Sequence, residues 1–271
     1  RAGARLVLMP CLHVGPGEQG RQRRHFMNRR MMALYRQADA IIALTEWERQ
    51  VLSQAGLPAE RIHVTGVGVN PTDTKHADGK RFRQKFGLPA DTALATFIGR
   101  KSAGKGALHL LEAAQHLLAE RRNLAFALVG ESTPEFVRRY QSLPDGVQQQ
   151  VLDLSLSEQE KHDLLAASSL LALPSQDDAF GIVLLEAWLH GKPVVGARAG
   201  GLQQVIEEQK TGLLVPFGDV PSLAQAIAWL LDHPAEAAQM GAQGRQATLQ
   251  HWTWRAVYER VRTMYQDCLS G

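Results

Sequence analysis

Short apolar runs alternate with amphipathic stretches almost from one end of the chain to the other. Apolar runs of this kind suit parallel strands buried on both faces, and the stretches between them suit helices laid across those strands. The candidate strands are residues 5–9, 40–44, 61–65, 93–98, 124–129, 169–173, 193–195 and 212–215. Several helix beginnings are legible. Thr45 with Glu48 and Ser157 with Glu160 fit a capping box, while Thr133 before Pro134 and Asp219 ahead of Pro221 mark two more. Strand–helix alternation predicts an α/β fold, a doubly wound parallel sheet with right-handed crossovers.

One stretch breaks the rhythm. Residues 66–80 (GVGVNPTDTKHADGK) are polar, contain Gly and Pro, and follow neither period, so they read as a linker. The expected division is residues 1–75 as a partial Rossmann-like domain and linker, and residues 76–252 as a complete Rossmann-like domain with six or so strands. The first part has about three strands, so it is either truncated or unusually small. Residues 253–271 read as a C-terminal helix with Trp254, Val257, Tyr258, Val261, Met264, Tyr265 and Cys268 at helical spacing. That stripe must dock, either on its own domain or back across on the first.

Composition excludes several classes. The two cysteines, Cys11 and Cys268, lie near opposite ends with no motif around them, which argues against a disulfide framework or zinc site and for a reducing, cytoplasmic setting. No run of 18 apolar residues spans a membrane, and the opening Arg1-Ala2-Gly3-Ala4-Arg5 does not read as a signal peptide. A formal net charge of +3 argues neither for nor against nucleic acid, and with no further motif for it no nucleic-acid partner is expected.

Two constellations carry chemistry. The strand at 93–98 ends in Gly99-Arg100-Lys101-Ser102-Ala103-Gly104-Lys105-Gly106 ahead of a helical pattern. A glycine-bearing loop with cations before a helix N-terminus favours an anion, although neither the P-loop order nor the dinucleotide fingerprint is present. The bland alternative is a solvated turn holding three basic residues. The second constellation runs from Leu173 to Ala187, where Asp178 sits in an acidic loop and Glu186 lies eight residues on, inside an apolar helix opening near Gly181. A carboxylate there must be paired, or must accept hydrogen bonds from a hydroxylated ligand. A structural salt bridge is the plainer account.

Together these segments resemble the family 4 (group 1) retaining glycosyltransferases of the GT-B fold. The family's G-R-x-x-x-x-K-G pattern is matched at Gly99, Arg100, Lys105 and Gly106. Its S-x-x-E-x-F-G-x-x-x-x-E-A pattern is matched at Ser175, Asp178, Phe180, Gly181, Glu186 and Ala187. Further matches are Gly191-Lys192-Pro193-Val194-Val195, Gly200-Gly201-Leu202, Thr211-Gly212-Leu213-Leu214-Val215, Gly218-Asp219, residues 38–45 and Gly68-Val69-Asn70. The resemblance implies a GT-B architecture with a truncated first domain, and transfer of a sugar from a nucleotide-diphosphate sugar donor to a glycan, lipid or small-molecule acceptor. It also implies roles. Arg100 and Lys105, with Gly99, would take the donor diphosphate, and Glu186 the ribose hydroxyls. Asp178 would face the transferred sugar, with backbone amides from Phe180 through Gly181 and Ile182 to Val183 on hydroxyls and phosphate. His13 would lie near the reacting sugar, against the alternative of an ordinary loop residue. No metal or other cofactor is implied.

The chain also departs from the family. Asp178 stands where the family has Glu, which draws the carboxylate back by about 1.5 Å. Gln203-Gln204 follow the Gly-Gly pair where Glu is frequent, Gly130-Glu131-Ser132 lacks a second glycine, and no glycine marks the nucleobase near Leu154-Ser155-Leu156. The rival functions are a donor-binding but catalytically silent module and a nucleotide-sugar epimerase of the same fold. Residues 19–36 (QGRQRRHFMNRRMMALYR) interleave arginines with apolar residues, so a basic amphipathic helix in peripheral contact with a membrane is weighed against a solvated face over a packed stripe.

Overall fold

The computed structural model describes residues 4–12, 26–121, 123–176 and 178–270, and contains two parallel sheets. The first has the order β1 (Val7–Leu8), β2 (Ala40–Ala43), β3 (Ile62–Val64), connected through α1 (Arg29–Gln37) and α2 (Glu46–Gln54). Alternation along β2 sends Ile41 to one face, where it packs with Leu12, Met32, Tyr35, Leu52 and Ile62. Ala40 and Ile42 go to the other. On α1, Met32 and Tyr35 are buried, whereas Arg29, Arg30, Leu34 and Arg36 are exposed. The remaining residues of the basic segment, 19–25, lie outside the described residues. No helix among the described residues is long and apolar enough to cross a membrane.

A helix α3 (Gly79–Lys85) leads into the second sheet, built from β4 (Ala93–Ile98), β5 (Leu124–Val129), β6 (Val151–Leu154), β7 (Leu170–Leu173), β8 (Val194–Ala197) and β9 (Gly212–Val215). Its order is β6-β5-β4-β7-β8-β9, all parallel. The connections include α4 (Ala107–Glu120), α5 (Pro134–Gln141), α6 (Glu158–Ala167) and α7 (Ile182–Leu189). After β9 come α8 (Val220–Asp232), α9 (Pro234–His251) and α10 (Trp254–Ser270). One face of this sheet packs Phe97, Leu128, Leu170 and Val195 with Leu110, Leu185, Trp188 and Ile227. The other buries Leu94 and Ala127 with Phe82 and Leu164. Strand order reverses between β4 and β7, and at that point the C-terminal strand ends open a crevice.

Three strands (β4, β5 and β9) match the apolar runs residue for residue. β6 is an addition: Val151-Leu152-Asp153-Leu154 carries an acid in the middle and reads as neither apolar run nor clean alternation. The 66–80 stretch is more ordered than a plain linker, with a 3-10 turn at Pro71–Thr74 and the start of α3 at Gly79. Ser157 and Glu160 form a reciprocal capping box on α6. Thr45 and Glu48 do not. Thr45 Oγ1 accepts from Glu48 N, but the buried Glu48 carboxylate accepts from the amides of Leu12 and Leu44, fastening the end of the β1 segment to α2.

The α10 stripe divides between two surroundings. Met264 is buried against Ala40 and Ile42, with Val7, Val261 and Cys268 around it, so the helix covers the first sheet. Trp254, Tyr258 and Tyr265 stay exposed. The crossing from α9 to α10 is fastened to the segment after β3. Val69 N donates to Trp252 O at 2.8 Å, Trp254 N to Val69 O at 3.2 Å, and Arg260 Nε to Thr65 O at 2.8 Å. Gly66 has φ +70, and a Cβ there would lie 2.3 Å from the Trp252 ring, so a side chain is excluded by space and by backbone alike.

Candidate functional site

The loops after β4 and β7 face each other across the reversal in strand order. Gly106 has φ +75, and a Cβ on it would meet Pro174 O at 2.0 Å. Only glycine allows the two loops this approach. Gln176 N donates to Gly104 O at 3.0 Å, a second tie between them. On its other flank the first loop bonds to the turn after β5, through Lys101 N to Glu131 O at 2.7 Å and Thr133 Oγ1 to Lys101 O at 2.7 Å. The β7 loop is backed in turn by Gly200-Gly201. Gly201 N donates to Asp178 O at 3.0 Å, and a Cβ on Gly201 would lie 1.8 Å from Ala179 O.

These loops bring most of the expected residues together. Lys105 Nζ donates to Asp178 Oδ1 at 2.9 Å, joining the two motifs directly. Asp178 Oδ2 is buried without a hydrogen-bond partner among the described residues. Arg100 is exposed, with Glu131 at 3.8 Å, and so remains accessible to a ligand. Gly181 starts α7 with φ 81 and no side-chain cap, which leaves the first-turn amides of Ile182 and Val183 at an uncapped N-terminus. The Phe180 side chain turns away from the crevice and packs edge-on against Trp252, at 5.1 Å between ring centroids. Its contribution to a ligand is therefore limited to its backbone. His13 lies outside the described residues.

Lys101 is not one of three solvated cations. Its ammonium is buried, paired with Asp153 of β6, and donates to Leu128 O at 3.4 Å and Leu154 O at 3.3 Å. It also lies 5.4 Å from the Phe136 ring centroid. It fastens the loop to β5 and β6 and takes no part in the crevice. Glu186, one and a half turns into α7, has the ion pair that its burial requires: Lys161 Nζ donates to Glu186 Oε1 at 2.9 Å and lies 2.7 Å from Glu158 Oε2. Burial works against the Lys161 ammonium, but the bonds to Glu158 and Glu186 outweigh it and raise its pKa above the ordinary lysine value. Sequence reasoning missed both lysines as partners, because Asp153 and Glu186 lie 52 and 25 residues away from them.

A concavity of about 640 Å3 lies along the edge of β9, lined by Leu213, Val215, Trp229 and Met240 among others. No residue of the two motifs lines it. Charge, open amides and a carboxylate oxygen without a partner among the described residues make the crevice at the strand-order reversal the candidate site.

A profile of glycosyl transferases group 1 matches residues 78–247, and a glycosyl transferase 4-like domain matches residues 1–68. The D-inositol 3-phosphate glycosyltransferase 1 of Catenulispora acidiphila is 31% identical over 248 residues, covering 86% of this chain and 58% of that protein. The corresponding enzyme of Xylanimonas cellulosilytica is 33% identical over 222 residues, covering 78% of this chain and 53% of its own length. The chain thus spans little more than half the length of these relatives. Among solved structures, Anabaena HepE in complex with UDP and glucose superposes with a TM-score of 0.82 at 22% identity, over 97% of this chain and 71% of that one. Sucrose-phosphate synthase from Thermosynechococcus elongatus gives 0.80 at 25% identity, over 97% and 68%.

Proposed function

The chain belongs to the group 1 glycosyltransferases and has the GT-B fold, and from that premise we propose that it holds a nucleotide-diphosphate sugar in the crevice between the β4 and β7 loops and takes part in retaining sugar transfer. The observation that carries this reading is Asp178, with one oxygen on Lys105 and the other buried and, among the described residues, without a hydrogen-bond partner. An unsatisfied buried carboxylate oxygen is costly, and a sugar hydroxyl at that position would satisfy it. Lys105 and Arg100 meet the diphosphate, assisted by the amides of Ile182 and Val183 at the start of α7. Glu186 accepts from the ribose hydroxyls.

In the reaction the bond between the anomeric carbon and the diphosphate oxygen breaks, and its electron pair leaves with the diphosphate. An acceptor hydroxyl forms the new bond on the same face and passes its proton to the departing phosphate oxygen. Lys105 and Arg100 stabilise the charge that builds there. The acceptor is a glycan, lipid or small molecule bearing a hydroxyl. The Anabaena relative was solved with UDP, and a uridine nucleotide is the first donor to try here.

Calorimetric titration of UDP, GDP and ADP, alone and as sugar conjugates, into the wild type and Arg100→Ala tests the reading. Binding of one nucleotide that weakens at least tenfold in the variant supports it. Absence of binding to all of them sinks it. The anomeric configuration of any product, read by NMR, tests retention.

A further inference from the structure

Each carboxylate of the proposed donor site is matched by its own lysine. Asp178 has Lys105, which belongs to the family pattern, and Glu186 has Lys161, which no motif marks. The surroundings of the second pair are built with care. Glu186 stands on α7 among buried Leu184, Leu185, Ala187 and Trp188, and both it and Lys161 are largely shielded, with 18% and 14% of their side chains exposed. The backbone at Lys161 is fixed by the capping box one turn earlier, where Lys161 N donates to Ser157 O at 2.9 Å. The next residue, His162, makes a parallel contact: its Nδ1 lies 3.1 Å from Nε2 of His190, one turn beyond Glu186. Two successive residues of α6 thus contact Glu186 of α7 and His190, which caps the end of that helix.

A flexible glutamate that binds a diol loses rotamer freedom on doing so, and a carboxylate already held by one oxygen avoids most of that loss. Lys161 occupies Oε1, and among the described residues it alone bonds the Glu186 carboxylate. The second oxygen is left to accept from the ligand. The ammonium also neutralises a carboxylate that would otherwise repel an incoming diphosphate. Glu158, 83% exposed, holds the lysine from the solvent side.

We propose that Lys161 is a positioning residue that presents Glu186 to the ribose hydroxyls of the donor and so sets the preference for ribonucleotides over deoxyribonucleotides. The proposal rests on the ribose role of Glu186 given above. A merely structural ion pair between α6 and α7 would contribute to stability but would leave that preference unchanged.

The test is titration of UDP against 2′-deoxy-UDP, with the guanine and adenine pairs in parallel, into the wild type, Glu186→Gln, Lys161→Met and Lys161→Arg, each checked by thermal melting. The wild type is expected to prefer the ribonucleotide by about tenfold, one hydrogen bond to a charged acceptor. Lys161→Met should reduce the preference to about twofold or less, and Lys161→Arg, which keeps a cation in reach, should restore most of it. A preference kept in Lys161→Met but lost in Glu186→Gln overturns the role of Lys161 alone, as does Lys161→Arg with a normal melt and no preference. A wild type that binds no nucleotide, or binds without preference, or a Glu186→Gln that keeps it, overturns the ribose role of Glu186 and this proposal with it.

Discussion

Lys105 Nζ lies 2.9 Å from Asp178 Oδ1, a contact that joins the loop after β4 to the loop after β7 where the strand order turns back on itself. Under the proposed function the pair would set a cation for the diphosphate beside an acid for the sugar, and the two substitutions should separate these tasks. Lys105→Met is expected to weaken nucleotide binding by about 10- to 100-fold, as loss of charge-assisted hydrogen bonds implies. Asp178→Asn should leave binding of the free nucleotide within a few-fold of wild type while transfer from the sugar conjugate falls by about 100-fold. Equal losses of nucleotide affinity in both variants would contradict this division.

Gly106→Ala should uncouple the loops. The left-handed backbone at φ +75 costs an alanine about 1–2 kcal/mol, and its Cβ would lie 2.0 Å from Pro174 O, which no rotamer relieves. A lower melting temperature together with loss of nucleotide binding is expected. Retention of both would mean the loops separate without consequence.

Lys101→Met should be among the more destabilising single changes in the second sheet. It strips a buried partner from Asp153 and a donor from Leu128 O and Leu154 O. The expected loss is about 1–3 kcal/mol by denaturant unfolding, since Asp153 keeps 27% of its side chain in contact with solvent. Replacing Asp153 by Leu in the same chain should recover part of it, since the remaining charge is then removed. A double variant less stable than Lys101→Met would contradict this account.

Acid should lower the stability of the fold through His190. His190 is held to a pKa of about 4, below its ordinary 6.5, first by burial, then by repulsion from His162 and Lys192, with Asp163 acting in the opposite sense. The unfolded chain therefore binds a proton on His190 that the fold resists, so stability is complete above about 6.5 and falls as pH drops toward 4. His190→Gln should flatten that part of the stability curve. An unchanged slope between these limits in the variant would assign it to other groups.

Sequence pattern and tertiary contact contributed unequally to what could be read beforehand. β4, β5 and β9 declare themselves because each is a continuous apolar run, and a buried parallel strand needs nothing more. β6 hides because Asp153 interrupts it, and that acid makes sense only beside Lys101, 52 residues earlier. The helix α3 hides within a polar segment because Phe82 is its sole buried residue. At the site, Gly106, Lys105 and Asp178 were marked by type and spacing, but the demand for glycine at 106 is set by Pro174, which no local rule reveals. Glu48 shows the opposite error. Local spacing suggests a cap, whereas its burial serves the amides of Leu12 and Leu44.

The docking of Met264, Val261 and Cys268 on Ala40 and Ile42 has a consequence for how the molecule is made. Synthesis runs from the N-terminus, so β1, β2 and β3 leave the ribosome long before the helix that covers one of their faces. Through the whole emergence of the second sheet, Ala40 and Ile42 remain bare. Closing that face demands contacts some 220 residues apart in sequence, which slows the final step and exposes an apolar strand meanwhile. The second sheet has no such debt to α10 and can complete its core first. The candidate crevice is thus set to form before the sheet beside it is closed, and Met264 acts as the latch fastened last.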